Sequence, residues 1–224
     1  MITLHHLEYS QSFRVLWLLE ELGVEYALKK YDRDPKTHLA PDDYKAISPL
    51  KSAPVITEGD FALAETSAIM DYLLDRYPND VLRPTPDSPD RTRHLFWYHT
   101  AQGSIMPLML MESIFLIIQK RVPSILNLII RPVLARVTDG FIQPRMEALL
   151  TLAEKDLATK EWFGGDNLTI ADMILSYPME SASVRGYITD AYPNCQAWLQ
   201  RIYASASFQS AKEKDGRPSM ILPL

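Results

Sequence analysis

The residue types that usually carry chemistry are sparse in this chain, and their spacing excludes more than it supports. His5 and His6 are adjacent in a short opening strand, so their side chains point to opposite faces and cannot chelate one metal from one side. Histidines that fill space are the expectation there. Cys195 is the single cysteine, which excludes an intrachain disulfide and a Cys-rich metal site. No metal-ligand spacing, GxSxG turn or phosphate-binding loop occurs. Ser10 and Ser12 stand just ahead of a helical stripe, and either can cap it. Thr169-Ile170-Ala171-Asp172 has the form of a capping box, with Asp in place of the usual Glu or Gln. Thr169 is expected to accept from the amide three residues on, and Asp172 to reach back to the Thr169 amide. Leu168 and Met173 supply the flanking apolar pair, so the motif starts a buried helix and its role is structural.

The elements that must position any site divide into two kinds. Ile2 and Leu4 mark an opening strand. Val15, Leu18, Leu19 and Leu22 then form a helical stripe that Gly23 can end. Tyr26-Ala27-Leu28 begins a second strand, and a polar stretch with Pro35 and Pro41 follows. Pro54–Thr57 and Phe61–Ala64 are short apolar runs joined by a tight turn at Glu58-Gly59-Asp60. Ile69, Tyr72, Leu73 and Tyr77 predict a helix from Ser67 to Tyr77. This order, β-α-β-(short α)-β-β-α, is a small α/β domain over residues 1–78. Residues 79–89, with three prolines and no periodicity, read as a linker, and helical patterns alone fill 90–224.

Composition bounds the class. With 224 residues, 47% hydrophobic and 23% charged, the chain can bury a sizeable core and is not disordered. A net charge of −5 argues against general affinity for nucleic-acid backbones. The start, Met1-Ile2-Thr3-Leu4-His5, lacks the basic and long apolar regions of a signal peptide, so a cytoplasmic protein is expected. His94 to Met111 runs 18 residues without Asp, Glu, Lys or Arg, but its polar residues and Pro107 favour a buried helix over a membrane span. Residues 113–138 carry four basic side chains and no acidic one. Contact with an anionic membrane is one reading of that segment. Buried helices with a subunit contact is the other, and Pro123 and Pro132 would each break a continuous interfacial helix.

Four motifs in order carry a resemblance over essentially the whole chain. Tyr9 to Leu22 resembles the strand-to-helix opening of serine-type glutathione transferases of the bacterial and fungal, theta-like kind. Ser48-Pro49-Leu50-Lys51-Ser52-Ala53-Pro54-Val55-Ile56 resembles their proline loop, and Glu65-Thr66-Ser67-Ala68-Ile69 their acidic-Ser-x-Ala-Ile motif. The Thr169-to-Asp172 box is similar to one in their helical domain. The fold implied is a thioredoxin-like α/β N-terminal domain followed by an all-α C-terminal domain, the division already read from the patterns. For residues 113–138 the resemblance implies buried helices with a subunit contact, which makes that the preferred reading of the segment.

The resemblance implies roles. Glutathione, as co-substrate, has a thiol with a pKa of about 8.5 to 9, so little thiolate exists at pH 7, and the thiolate is the nucleophile. A hydroxyl aimed at sulfur beside a helix N-terminus lowers that pKa. Ser10 occupies the family's catalytic position, four residues ahead of Arg14, with Ser12 and Tyr9 as alternatives and a plain helix cap as the bland role. Pro54 would be the family's cis proline, turning the Ala53 backbone toward the ligand. Glu65 and Thr66 would grip the γ-glutamyl end. Lys51 sits one place early relative to the family pattern, which puts its contact with the glycyl carboxylate in doubt, and His38 is a second candidate for that carboxylate. Thr66 stands where Ser is usual but keeps the hydroxyl.

His99, Gln102, Met106 and Leu110 would line the electrophile pocket, although a methionine stripe is more often core. No cysteine near Ser10 argues against thiol–disulfide exchange through the protein, and the absent Ser-Ser-Cys-Ser run against a maleylacetoacetate isomerase. The expected function is a homodimeric detoxification enzyme joining the glutathione thiolate to small apolar electrophiles, with glutathione peroxidase as a side activity and no metal. The alternative is a non-catalytic binding or regulatory protein on the same scaffold.

Overall fold

Residues 1–218 and 220 are described by a computed structural model. Alternation along β1 (Ile2–Leu7) sends Ile2 and Leu4 into the main core, and Leu7 to the opposite face. The sheet has the order β2-β1-β3-β4. β2 (Tyr26–Tyr31) runs parallel to β1; β3 (Val55–Glu58) and β4 (Phe61–Ala64) form an antiparallel hairpin whose first strand pairs antiparallel with β1. One face carries α1 (Ser12–Leu22) and α3 (Thr66–Arg76). On the other, Tyr44 of α2 (Asp42–Ile47) is buried in a small cluster with Leu7, Tyr31, Ala40, Val55 and Ala64.

This is the thioredoxin-like α/β arrangement that the motif order implies, followed among the described residues by helices, with one isolated bridge between Trp162 and Gly165. Gly23 ends α1 in the left-handed conformation, as expected, and α3 begins and ends one residue before the predicted range. The predicted stripe of α1 understates its burial: every residue from Ser12 to Leu19 is buried. The reason is its position between the sheet on one side and α8 (Ile170–Val184) and α10 (Ala206–Asp215) on the other. Trp17, for example, stacks edge-on with Phe208 and donates to Ser207 Oγ at 2.9 Å.

Residues 79–89 hold neither helix nor strand, yet they are packed. Leu82 is buried and its carbonyl accepts from the Ile170 amide at 2.9 Å. The Ile170 helix starts on the capping box read from sequence, with Thr169 Oγ1 accepting from the Ala171 amide at 3.2 Å and Asp172 from the Thr169 amide at 3.0 Å. Both arms of the expected box are present, Thr169 toward the backbone three residues on and Asp172 back to the Thr169 amide. His94, at Thr169 Oγ1 through Nδ1 (3.1 Å), is pushed down to about 4 by burial and the nearby cations Arg91 and Arg83, and so stays neutral.

α4 (Arg91–Thr100), a π-helical turn (Ala101–Ile105) and α5 (Met106–Arg121) form one helix of 31 residues. An 18-residue window in it has mean hydropathy 1.6, apolar and long enough by composition to cross a membrane. The expected burial is met on one face only: Trp97, Tyr98, Ala101, Ile105, Leu108 and Met109 are buried, whereas Leu110, Ile114 and Ile117 are exposed. α6 (Ser124–Val137) departs further from expectation, because none of its residues is buried. Pro123 caps its start, and Pro132 sits inside without ending it. Leu128, whose carbonyl loses its helical partner to Pro132, is an exposed residue. After a second π-helical turn (Thr138–Ile142), α7 (Gln143–Leu157) packs on α9 (Pro193–Ala204), which leads to α10.

Candidate active site at the ends of three strands

Register decides which loops meet. His5 pairs with Val55 and Val55 with Ala64, so the segment after β1, the segment before β3 and the segment after β4 emerge at one end of the sheet. These segments carry Tyr9 and Ser10, Ala53 and Pro54, and Glu65 and Thr66. The Ala53–Pro54 peptide is cis, as the proline loop implies. Tyr9 and Glu65 both have positive φ, 48° and 74°, so both segments turn sharply before entering α1 and α3. Two helix N-termini, those of α1 and α3, therefore face the same region, a setting that favours anions.

Ser10 is buried and its hydroxyl is well occupied on the protein side. Oγ donates to the Leu7 carbonyl at 2.7 Å, accepts from the Ser12 amide at 3.2 Å and lies 2.7 Å from Ser12 Oγ. It thus takes part in capping α1, whose N-cap residue, Gln11, makes no side-chain cap bond. Ser12 is fully buried beneath it and bonded to His6 Nδ1 at 2.8 Å, so it does not open toward a ligand. Tyr9 is half-buried, with its carbonyl accepting from Arg33 at 3.2 Å and its ring facing Arg217.

Thr66 is buried and Glu65, beside it, is exposed. Thr66 Oγ1 donates to Gln11 Oε1 at 3.3 Å, and Gln102 Nε2 reaches the same oxygen at 3.4 Å. Arg14 completes this cluster. Its guanidinium is fully buried and donates to the carbonyl of Ile174 (2.6 Å), to Gln11 Oε1 and to Thr66 Oγ1 (3.4 Å). All these partners are neutral. Burial draws its pKa down to about 10, which still leaves it charged at pH 7. A buried cation with no counter-ion among the described residues, beside two helix N-termini, is a strong attractor for an anionic group.

The remaining candidates fall at different distances from this centre. Lys51 is exposed, on a turn held by Ser48 Oγ, which donates to the Ser52 carbonyl and accepts its amide. His38 is exposed on the loop ahead of α2, with its own amide bonded to the Asp34 carbonyl at 2.8 Å. Of the helical face, only Gln102 reaches the cluster. His99 is exposed in a shallow hollow with Leu95, Phe96, Gly103 and Ser104. Met106 is half-buried and Leu110 is exposed further along. The π turn at Ala101–Ile105 falls between His99 and Met106 and shifts the helical phase assumed from three- and four-residue spacing.

Sequence reasoning missed Gln11, Arg14, Ser12 as a buried link, and the partners of His6. Arg14 had a signal, being the one charge embedded in an otherwise apolar helix start; the contacts of His6 had none, since Asp215 lies 209 residues away. Neither histidine of the opening pair merely fills space. His5 lies between Tyr31 Oη and Thr57 Oγ1 at 2.9 Å each, and His6 between Ser12 and Asp215. Among the described residues no cluster of His, Cys, Asp or Glu could hold a metal ion.

Comparison with known proteins gives a consistent result. The family profile described as glutathione S-transferase, N-terminal domain, matches residues 1–75, and the C-terminal domain profile matches 143–206. A solved glutathione S-transferase from Actinobacillus pleuropneumoniae is 32% identical, with a TM-score of 0.77 over 96% of this chain and 93% of its own. Glutathione S-transferase 3 of Schizosaccharomyces pombe is 28% identical over 96% of this chain and 88% of its own. A glutathione transferase homologue from Sulfitobacter, solved with bound glutathione, shares the fold at 23% identity and a TM-score of 0.73 over 96% of this chain and 98% of its own.

Proposed function

The chain belongs to the glutathione S-transferase family, and from that premise we propose that it is of the serine type, theta-like, with Ser10 as the residue that touches the sulfur. The enzyme activates the thiol of glutathione as a thiolate, which attacks small apolar electrophiles by substitution or addition. The observation that carries the site assignment is the convergence of the Ser10 loop, the cis Ala53–Pro54 peptide and the Glu65-Thr66 pair at one end of the sheet, over buried Arg14.

Each part of glutathione then has a counterpart. The Ala53 backbone pairs with the cysteinyl unit as an added strand would. Glu65 faces the γ-glutamyl ammonium, and Thr66 with the N-terminus of α3 takes its carboxylate, drawn by the Arg14 charge. Lys51, with His38 as second candidate, serves the glycyl carboxylate. Gln102 and Met106 border the electrophile side, with His99 and Leu110 at its outer end. Glutathione peroxidase activity would use the same thiolate. The single cysteine, Cys195, is buried and pushed well above the ordinary thiol range by burial, so protein-thiol exchange is not part of this reading. We place the enzyme in the cytoplasm, in a detoxifying role.

The test is the ultraviolet absorbance of bound thiolate against pH. Wild type should show an apparent thiol pKa of about 6–7, and Ser10→Ala should raise it by about one unit or more. Binding with no change in the mutant would reduce Ser10 to a helix cap. No binding at all would favour the non-catalytic scaffold.

A second copy of the chain is the proposed cover for the apolar side of α5 and α6, where Ile114, Ile117, Ile125, Leu128 and Ile129 are exposed. Sedimentation equilibrium should give twice the chain mass, and Leu128→Glu with Ile129→Glu should shift it to monomer. Binding of a monomer to anionic vesicles would instead favour the basic 113–138 segment as a membrane contact.

A further inference from the structure

Behind Ser10 runs a hydrogen-bonded chain that the thiolate reading does not use. Ser10 Oγ is 2.7 Å from Ser12 Oγ, Ser12 Oγ is 2.8 Å from His6 Nδ1, and His6 Nε2 is 2.7 Å from Asp215 Oδ1. All four residues are buried, His6 at 2% and Ser12 at 0% exposure. The chain links the end of β1, the start of α1 and the last residue of α10. We propose that His6, paired with Asp215 and reached through Ser12, takes up the thiol proton of glutathione and in doing so turns the Ser10 hydroxyl to donate to sulfur. This rests on the assignment of Ser10 as the group that touches the thiol.

Counting protons shows why the direction of the chain matters. With His6 neutral and its Nε2–H donated to Asp215, Nδ1 can only accept, so Ser12 donates to it. Ser10 then donates inward, to Ser12 Oγ or to the Leu7 carbonyl, and offers only lone pairs outward. Turning its proton to sulfur would leave two oxygens 2.7 Å apart with no proton between them.

With His6 protonated, Nδ1–H donates to Ser12, Ser12 donates to Ser10, and the Ser10 proton is free for the thiolate. The two arrangements are connected by one concerted shift. The S–H bond breaks as an O–H bond forms on Ser10, the Ser10 proton passes to Ser12, and the Ser12 proton passes to His6 Nδ1. One thiolate and one imidazolium result, with no proton lost to water.

The surroundings suit this end state. With His6 neutral, ionised Asp215 is a buried negative charge; the imidazolium compensates it. Other charges face the pair from α10 and the residues after it, from α8 and from β2. Lys30 donates to the Lys214 and Asp215 carbonyls at 2.9 and 3.3 Å, while Lys212, Arg217 and Glu180 share a cavity with Asp215. His5, on the other face of β1, is bonded to Tyr31 and Thr57 and takes no part. His6 and Asp215 are positioning residues here, acting on the sulfur through Ser10.

The experiment compares proton release on binding glutathione with that on binding S-methylglutathione, which has no thiol proton, by calorimetry in buffers of different ionisation enthalpy. At pH 7, wild type should release fewer than about half a proton per thiolate formed. His6→Asn should approach one proton per thiolate. Asp215→Asn should raise the apparent thiol pKa by about one unit, with Asp215→Glu restoring part of it. A full proton released by wild type overturns the proposal, and this arm needs no variant to fold. Unchanged thiol titration in Asp215→Asn overturns it as well, provided Ser10→Ala shifts the titration. If Ser10→Ala shifts nothing, the assignment of Ser10 fails first.

Discussion

Asp172→Ala should cost about 3–5 kcal/mol of folding stability, a large share of the roughly 5–15 kcal/mol available to a protein of this kind. One carboxylate satisfies five donors: the amides of Phe163 (2.7 Å), Gly164 (3.4 Å) and Thr169 (3.0 Å), the Thr169 hydroxyl (3.1 Å) and the Trp198 indole (2.9 Å). It is fully buried, and burial pushes its carboxyl upward while the donors pull it back down. Removing the side chain leaves all five donors without water, at about 1–3 kcal/mol each before relaxation. Asp172→Asn should be nearly as damaging, because its amide group presents hydrogens to donors. In urea the transition midpoint should fall with an unchanged slope. A loss below about 1 kcal/mol would mean that the network relaxes freely, contrary to its burial. The damage would also reach the site, since α8 begins at this box and its Ile174 carbonyl holds Arg14.

That connection marks where sequence reading stops. The capping box, the hairpin turn at Gly59 and the end of α1 at Gly23 are local, decided by neighbours within four residues, and each appears in the structure where the pattern put it. The candidate residues at the sheet end are legible because three strands in register bring their flanking loops together. Burial around α1 is not local: Ser12 to Leu19 are covered by α8 and α10, and a stripe reports only one neighbour. The same holds for His6, whose ring is claimed by residues six and 209 positions away. The facing of side chains along the Arg91–Arg121 helix is hard to read from sequence for another reason. Its π turn changes the period on which His99, Gln102, Met106 and Leu110 were grouped.

The second large effect concerns Arg14. Arg14→Met should weaken glutathione binding about 100-fold, close to 2.7 kcal/mol, with the fold kept. Methionine retains most of the apolar stem but removes the charge. In the free protein that charge is a burden, held among neutral oxygens and carrying its full desolvation cost. Losing it leaves the Ile174 carbonyl unpaired but frees the chain of that cost, so thermal stability should change little. Gln11 Oε1 keeps Thr66 and Gln102 as donors. Binding is different, because an entering carboxylate supplies the missing counter-charge in a site with little water to screen it. Arg14→Lys should fall between the two, keeping charge without the forked geometry that spans Ile174, Gln11 and Thr66. Calorimetric titration with S-methylglutathione isolates this effect from the thiol. If Arg14→Met binds it within about threefold of wild type, the buried cation serves α8 packing alone, and the γ-glutamyl carboxylate must be held by Thr66 and the helix N-terminus without it.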